Sequence, residues 1–218
     1  MLLSKSVIYV AKRNLSSRQR LVILGCGWGA YSVFKNVNRK KYDVTVISPR
    51  NHFLFTPLLC STTVGTLEFR SIIEPVRNTK FRKADDFQLA HAVDANFVEK
   101  TVKCKSVIDE SIEFNIKYDK LVIGVGALPN TFGIKGVNEY AHFLKEIVDA
   151  RRIRNKIIDN IELSMRPNLS EEERKRLLTF VIVGGGPTGV EFGAELYDFI
   201  REDAKRLFVD RMAEIKVR

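Results

Sequence analysis

Six small residues in two equally spaced clusters are the ones whose types and spacing suit a defined chemistry. Gly25, Gly27 and Ala30 in "LGCGWGA" read G-x-G-x-x-A, and Gly184, Gly186 and Gly189 in "VGGGPTG" read G-x-G-x-x-G. In such a turn the first glycine permits a tight reversal and the second lets the backbone approach a pyrophosphate. A small third residue lets helix and strand pack closely. Amides at the start of the following helix then face the anion, whose charge the helix dipole favours. One such motif is weak evidence. Two in the right context, each after a strand and opening a helix, are strong.

The elements that would position these turns can be read from hydrophobic pattern. Leu21–Leu24 reads as a buried strand, a helix follows from about Trp28 to Val37, and Asp43–Ile47 reads as a second strand, completing a β-α-β unit. Thr179–Val183 reads as the strand before the second turn, and "SEEE" at Ser170–Glu173 as a capping box opening the helix ahead of it. Between the two units, "SPRNHFLFTPLLCSTTVGTLEFR" has no helical or strand period, and segments of that kind are commonly functional or disordered. Ser71 is placed to cap a short helix over "IIEPVR". Three β-like runs from Phe87 to Ile116 predict an antiparallel meander. Tyr118–Gly126 predicts another buried strand ending in glycines. Glu139–Met165 predicts one long helix, with Phe143, Ile147, Ala150, Ile157 and Ile161 at helical spacing and Pro167 ending it.

Composition narrows the class. A hydrophobic content of 45% with 28% charged residues is that of a globular chain, and no apolar run reaches the ~20 residues that cross a bilayer. The net charge of +10 is concentrated at the start. Residues 1–20 carry Lys5, Lys12, Arg13, Arg18 and Arg20 with no acid, and the first acid is Asp43. The other 198 residues hold +5 in mixed-sign segments, so no nucleic-acid partner is expected. On a helix, Leu3, Val7, Val10 and Ala11 would share a face with the basic residues mostly off it, the pattern of a mitochondrial presequence over 1–19. Cys26, Cys60 and Cys104 are widely spaced, as are His52, His91 and His142, so neither a metal site nor a redox cysteine pair is predicted.

Two details qualify the turns. The second strand ends at Ile47-Ser48, where a carboxylate would ordinarily hold a ribose; Ser48 offers a weaker hydrogen bond, and Arg50 a reach to phosphate. Beyond the second turn, Glu191 and Glu195 lie four apart on one helix. Glu195 reads as solvated or paired on that helix, and Glu191 as a neighbour of a bound nicotinamide. Two dinucleotide turns in one chain imply two dinucleotides meeting, of which one could be a flavin that stays and the other a nicotinamide that exchanges. The demanding chemistry then belongs to the cofactors.

With these residues in view, "GCGWGA", "VISPRNHFLFTPLLCSTTVGTLEFRSIIEPVR", "YDKLVIGVGALPNTFGIKGV" and "RLLTFVIVGGGPTGVEFGAELYDF" resemble the type II, non-proton-pumping NADH dehydrogenases of mitochondria, from about Arg20 to Leu207. The resemblance implies an α/β fold with two Rossmann-like dinucleotide-binding domains of the FAD/NAD(P)-linked reductase type, the second one truncated. FAD would occupy 20–138, a helical connection 139–178, and NADH 179–218. By position, Gly25, Cys26, Gly27, Trp28, Gly29 and Ala30 would hold the FAD pyrophosphate. Ser48, Pro49 and Arg50 would lie near the adenosine half, Thr56, Pro57 and Leu58 near the flavin ring, and Gly126 and Ala127 where the chain crosses between domains. Gly184, Gly185, Gly186, Pro187, Thr188, Gly189 and Glu191 would hold NADH, with Glu191 the catalytic candidate. "GVG" at Gly124–Gly126 departs from the family's usual A-x-G.

The implied reaction passes hydride from NADH to FAD and then electrons to ubiquinone, at the mitochondrial inner membrane, on its matrix or intermembrane-space face. A homodimer is compatible with it. Relatives run about as far again, so the chain reads as ending where the second strand of the NADH unit begins. It would then bind NADH weakly, turn over no quinone and lack a docking helix. Rival readings are a non-catalytic nucleotide-binding remnant and a related reductase with another acceptor.

Overall fold

The structure, a computed structural model, describes residues 18–208 and 212–218. The expected presequence lies, but for its last two residues, outside them. The chain condenses into two compact units: residues up to Phe53 with Pro75–Gly126, and Leu54–Glu74 with Ala127–Arg218. These differ from the boundaries expected at 138 and 178. The reason is local packing: the helical connection shares an apolar cluster with the second glycine helix, with Ile153, Ile157 and Ile161 against Leu178 and Leu196.

The first unit grows from β1 (Gln19–Leu24), α1 (Trp28–Asn36) and β2 (Tyr42–Ser48). A short ribbon of β3 (His52–Leu54) and β4 (Ile73–Pro75) holds two of the three points at which the chain passes between units, the third being Gly126–Ala127. The meander β5 (Phe87–Asn96), β6 (Thr101–Ser106) and β7 (Glu113–Lys117) follows, then β8 (Lys120–Ile123). The six-stranded order is β7-β6-β5-β2-β1-β8. β1 runs parallel to β2 and β8, with Leu21 opposite Val44 on one side and Lys120 on the other. β5, β6 and β7 are antiparallel, as the pattern predicts.

Alternation along β1 feeds both faces of this sheet. Leu21 and Ile23 join Phe34, Val44, Val46, Phe81 and Phe87, whereas Val22 and Leu24 join Ile47, Ala90, Val102 and Cys104. A strand buried on both faces needs an unbroken apolar run, which "LVIL" supplies. β8 does not match the buried strand expected: as the sheet's edge it is only half covered, and Ile123 is 60% exposed.

In the second unit, α2 (Leu59–Thr62) is followed by α3 (Val137–Tyr140), α4 (Ile147–Ser164), α5 (Glu171–Leu177), β9 (Thr179–Phe180), α6 (Pro187–Phe199) and β10 (Lys216–Val217). The Ser170 cap forms as expected, its hydroxyl oxygen accepting the Glu173 amide at 3.2 Å. β10 lies parallel to β9, at the position where the second strand of this unit is expected.

Three expectations fail here. "IIEPVR" is extended: Pro75 disfavours helical geometry at Glu74, and β4 pairs with β3 instead, flanked by 3-10 turns. The long helix from Glu139 is broken at residues 141–146, because Asp149 caps a fresh start. Its Oδ2 accepts the amides of Lys145 (3.1 Å) and Glu146 (2.9 Å). The strand expected over Thr179–Val183 pairs only at Thr179 and Phe180, although the Ile182 amide still donates to the Arg218 carbonyl at 2.7 Å. The segment without period after Ser48 is not structureless either, holding β3, a 3-10 turn at Thr56–Leu58 and α2.

Candidate functional site

The first glycine turn is locked by its neighbours and open at its mouth. Gly25 has φ +97°, and a Cβ there would sit 2.3 Å from the Gly124 carbonyl oxygen. Gly27 is the N-cap of α1, and a Cβ on it would meet nothing closer than the Arg50 guanidinium at 3.7 Å. At Gly29 nothing lies within 4 Å. The first turn of α1 carries no acid, so its amides and dipole remain available to an anion. Ala30 is buried, and a Cβ on Gly124 would come 2.9 Å from Ala30 Cβ. The departure to glycine in "GVG" thus complements alanine in the third slot.

The side chains around this turn divide by what they touch. Trp28 is half exposed and meets Phe53 edge-on at 5.0 Å, while Tyr31 stacks on Phe53 at 4.2 Å. Cys26 offers only backbone to the mouth. Its sulfur is buried 2.9 Å from the His52 carbonyl oxygen and 3.2 Å from that of Arg50. The Ser48 hydroxyl, expected to face adenosine, is also buried; it donates to Cys26 Sγ and accepts the Arg50 amide, both at 3.2 Å. It therefore shapes the bend that carries exposed Pro49 and half-buried Arg50 toward the turn.

The second turn repeats the arrangement within its own unit. Gly184 has φ +114°, Gly186 is the N-cap of α6, and Pro187 stands in the first turn, where its missing amide hydrogen costs nothing. Around Gly185 and Gly186 a Cβ would find open space, whereas on Gly189 it would lie 2.1 Å from the Gly184 carbonyl oxygen. Both mouths are therefore shaped for a group that approaches the backbone closely, and both fit a dinucleotide pyrophosphate.

A cavity of about 300 Å³ in the second unit is lined by Thr56, Leu59, Cys60, Pro129, Leu144, Lys145 and Thr188. It joins Thr56, expected beside a flavin ring, to Thr188 of the second turn. Pro57 and Leu58 share the exposed 3-10 turn with Thr56. Gly126, at φ +74°, leads into Ala127, whose carbonyl accepts the Lys145 ammonium. A more open groove of about 590 Å³ runs past Lys135–Ala141, Val181 and Val183, but it includes no residue assigned to a cofactor.

Acid placement in α6 departs from expectation. Glu195 is not paired on its own helix; its carboxylate accepts Ser61 Oγ at 2.6 Å and Thr66 Oγ1 at 2.8 Å. Glu191 accepts the Cys60 thiol at 3.8 Å, and the same sulfur lies 3.5 Å from the Thr188 carbonyl oxygen. Burial first, then the nearby carboxylates of Glu191 and Glu195, push the Cys60 thiol up to about 11, so it stays a protonated donor. All three cysteines are free and buried, and burial pushes Cys104 up to about 12. Among the described residues no cluster could hold a metal ion, and no helix is long and apolar enough to cross a membrane.

Sequence reading missed Cys60, Lys145 and the Ser61–Glu195–Thr66 contacts. The "E-x-x-D" of Glu146–Asp149 is the signal that would have moved Lys145 from mid-helix to a helix entrance.

The profile of the family described as pyridine nucleotide-disulphide oxidoreductase matches residues 19–216. A curated relative from Dictyostelium discoideum, "Probable NADH dehydrogenase", is 56% identical over 207 residues, covering 94% of this chain and 46% of its own. The mitochondrial "External alternative NAD(P)H-ubiquinone oxidoreductase B1" of Solanum tuberosum is 51% identical over 199 residues, covering 88% and 34%. Among solved structures, NDH2 from Plasmodium falciparum in complex with NADH superposes with a TM-score of 0.86 at 42% identity, covering 92% of this chain and 41% of that one. The chain spans less than half the length of these relatives.

Proposed function

We propose a function on one premise: the chain belongs to the pyridine nucleotide-disulphide oxidoreductase family. It is the dinucleotide-holding part of an FAD-dependent NADH:ubiquinone oxidoreductase that pumps no protons and works at the mitochondrial inner membrane. The observation that carries this is the cavity in which Thr56 and Thr188 line one space.

The residues divide the work. Gly25, Gly27, Gly29 and Ala30, with the α1 amides and Arg50, hold the FAD pyrophosphate and its adenosine side. Gly184–Gly189 and the α6 amides hold that of NADH. When bound, FAD supplies acceptance of a hydride, two electrons with one proton, and passes electrons on singly or in pairs. Leu59, Pro129 and Leu144 give the cavity an apolar wall beside the polar Thr56, Lys145 and Thr188. Glu191, tied to Cys60, stands beside the nicotinamide end, and Glu195 fixes the α2 segment against α6 through Ser61 and Thr66. A disulfide-reducing reading gains no support, since it needs a reactive cysteine pair and the Cys60 thiol is held protonated.

The test is an absorbance spectrum of the purified chain reconstituted with FAD, before and after NADH. A retained flavin that NADH bleaches is the expected result. A colourless protein after removal of unbound FAD would leave a nucleotide-binding remnant as the better reading.

A further inference from the structure

Of the residues lining the cavity, one side chain carries a formal charge, that of Lys145. It is not a solvated helix lysine. Its amide is held by Asp149 at the entrance of α4, and Leu144 before it packs with Ile147 and Ala150. The ammonium donates to the Ala127 carbonyl, one residue past Gly126. An ammonium has three hydrogens, so two remain for whatever enters the cavity. The Asp149 carboxylate is taken up by the Lys145 and Glu146 amides, and Glu191 faces the Cys60 thiol. A half-buried cation beside apolar Leu59, Pro129 and Leu144 is screened less from a ligand in the cavity than a fully solvated lysine would be.

We propose that Lys145 is a positioning residue that tunes the redox cofactor of this cavity, its ammonium favouring the more electron-rich state and so raising the midpoint potential of the bound flavin. The inference rests on the function proposed above. Lysine gives up neither proton nor electron in this role, so the hydride balance of two electrons and one proton is unaltered.

The experiment measures the flavin midpoint potential in the full FAD-loaded chain, by spectral equilibration with a reference dye. Lys145→Gln keeps a donor for Ala127 and removes the charge. The reduced state should lose about tenfold in stability relative to the oxidised one, a fall of about 30 mV for a two-electron couple. Lys145→Arg should restore most of the shift. Lys156→Met, on an exposed position of α4, should leave the potential unchanged. If the Gln variant loses flavin, Lys145→Met is measured in its place. Flavin held at an unchanged potential in the charge-free variant overturns the inference alone, as does lost flavin retention in both variants, which marks Lys145 as structural. A wild-type chain that holds no flavin overturns the proposed function and the inference with it.

Discussion

The two glycine turns share a spacing and carry their constraints in different slots. In the first, the leading glycine is pressed from outside the turn: a Cβ on Gly25 meets the carbonyl oxygen of Gly124, in the segment leaving the neighbouring strand, at 2.3 Å. The third slot there accepts Ala30, because Gly124 opposite has no side chain. In the second turn the leading glycine has open space and is needed only for its positive φ. The third, Gly189, cannot carry a Cβ, since the turn's own Gly184 carbonyl lies 2.1 Å away. The middle glycine is open in both, apart from Arg50 at Gly27. Room for the ligand is thus the common element, and the packing around it varies with the strands alongside. β1 has a partner on each side, and Val22 is 1% exposed. β9 pairs with β10, and Val181 and Val183 beyond it are 67% and 92% exposed.

The comparison breaks most sharply at the crowded glycines. Gly25→Ala adds a backbone clash and a strained positive φ, and Gly189→Ala adds the clash alone; each should cost about 3 kcal/mol or more in urea unfolding. Gly184→Ala, with strain but space, should cost about 1–2 kcal/mol. Equal losses at Gly184 and Gly189 would show that the constraint does not move between slots.

A smaller effect tests the complementarity of Ala30 and Gly124. Gly124→Ala should destabilise by about 1–3 kcal/mol. Adding Ala30→Gly should return about 1 kcal/mol of coupling in a double-mutant cycle, even though glycine is itself unfavourable in a helix. The recovery is partial, because the Leu24 carbonyl oxygen and the Ala30 amide nitrogen, each 3.2 Å from the added Cβ, are still there. Additive losses would mean the two positions do not share space.

The open mouths separate stability from binding. Gly27→Val should cost about 1 kcal/mol of stability, as a poor N-cap, yet abolish flavin retention by filling the space beside the backbone. Flavin content equal to wild type after gel filtration would remove the first turn from the cofactor site. The corresponding Gly186→Val should spare flavin and weaken NADH binding, measured by calorimetry.

The smallest effect lies at the flank of β1. Asp119 accepts the Arg20 amide at 2.6 Å and the Arg20 guanidinium at 2.9 Å, and these hydrogen bonds hold its carboxyl down to about 2. The folded value lies below the unfolded ~3.9. Its stabilisation is therefore complete above about pH 4 and lost as pH falls through about 2. The pair is more than a third exposed, so solvent screening limits Asp119→Asn to about 1 kcal/mol or less at pH 7. The variant's unfolding free energy should be flatter than wild type between about pH 4 and pH 2.

Local chemistry was legible in the sequence wherever neighbours along the chain decide conformation. Both glycine turns, α1, α6, the Ser170 cap and the parallel pair β1–β2 follow from spacing, capping and apolar runs. So does the meander, whose alternation survives because one strand leads directly into the next. What only the tertiary structure decided depends on residues far apart in sequence. Ser48 was expected to face a ligand and Glu195 to be solvated or paired on its own helix, but partners 22 and about 130 residues away captured both. Pairing with β3 drew "IIEPVR" into an extended strand, and the Asp149 cap split a continuous helical pattern. That break moves Lys145 from a helix surface to the wall of the cavity. Spacing along a chain sets which backbone shapes are cheap. Which polar atoms remain for a ligand is settled only when distant segments have taken the rest.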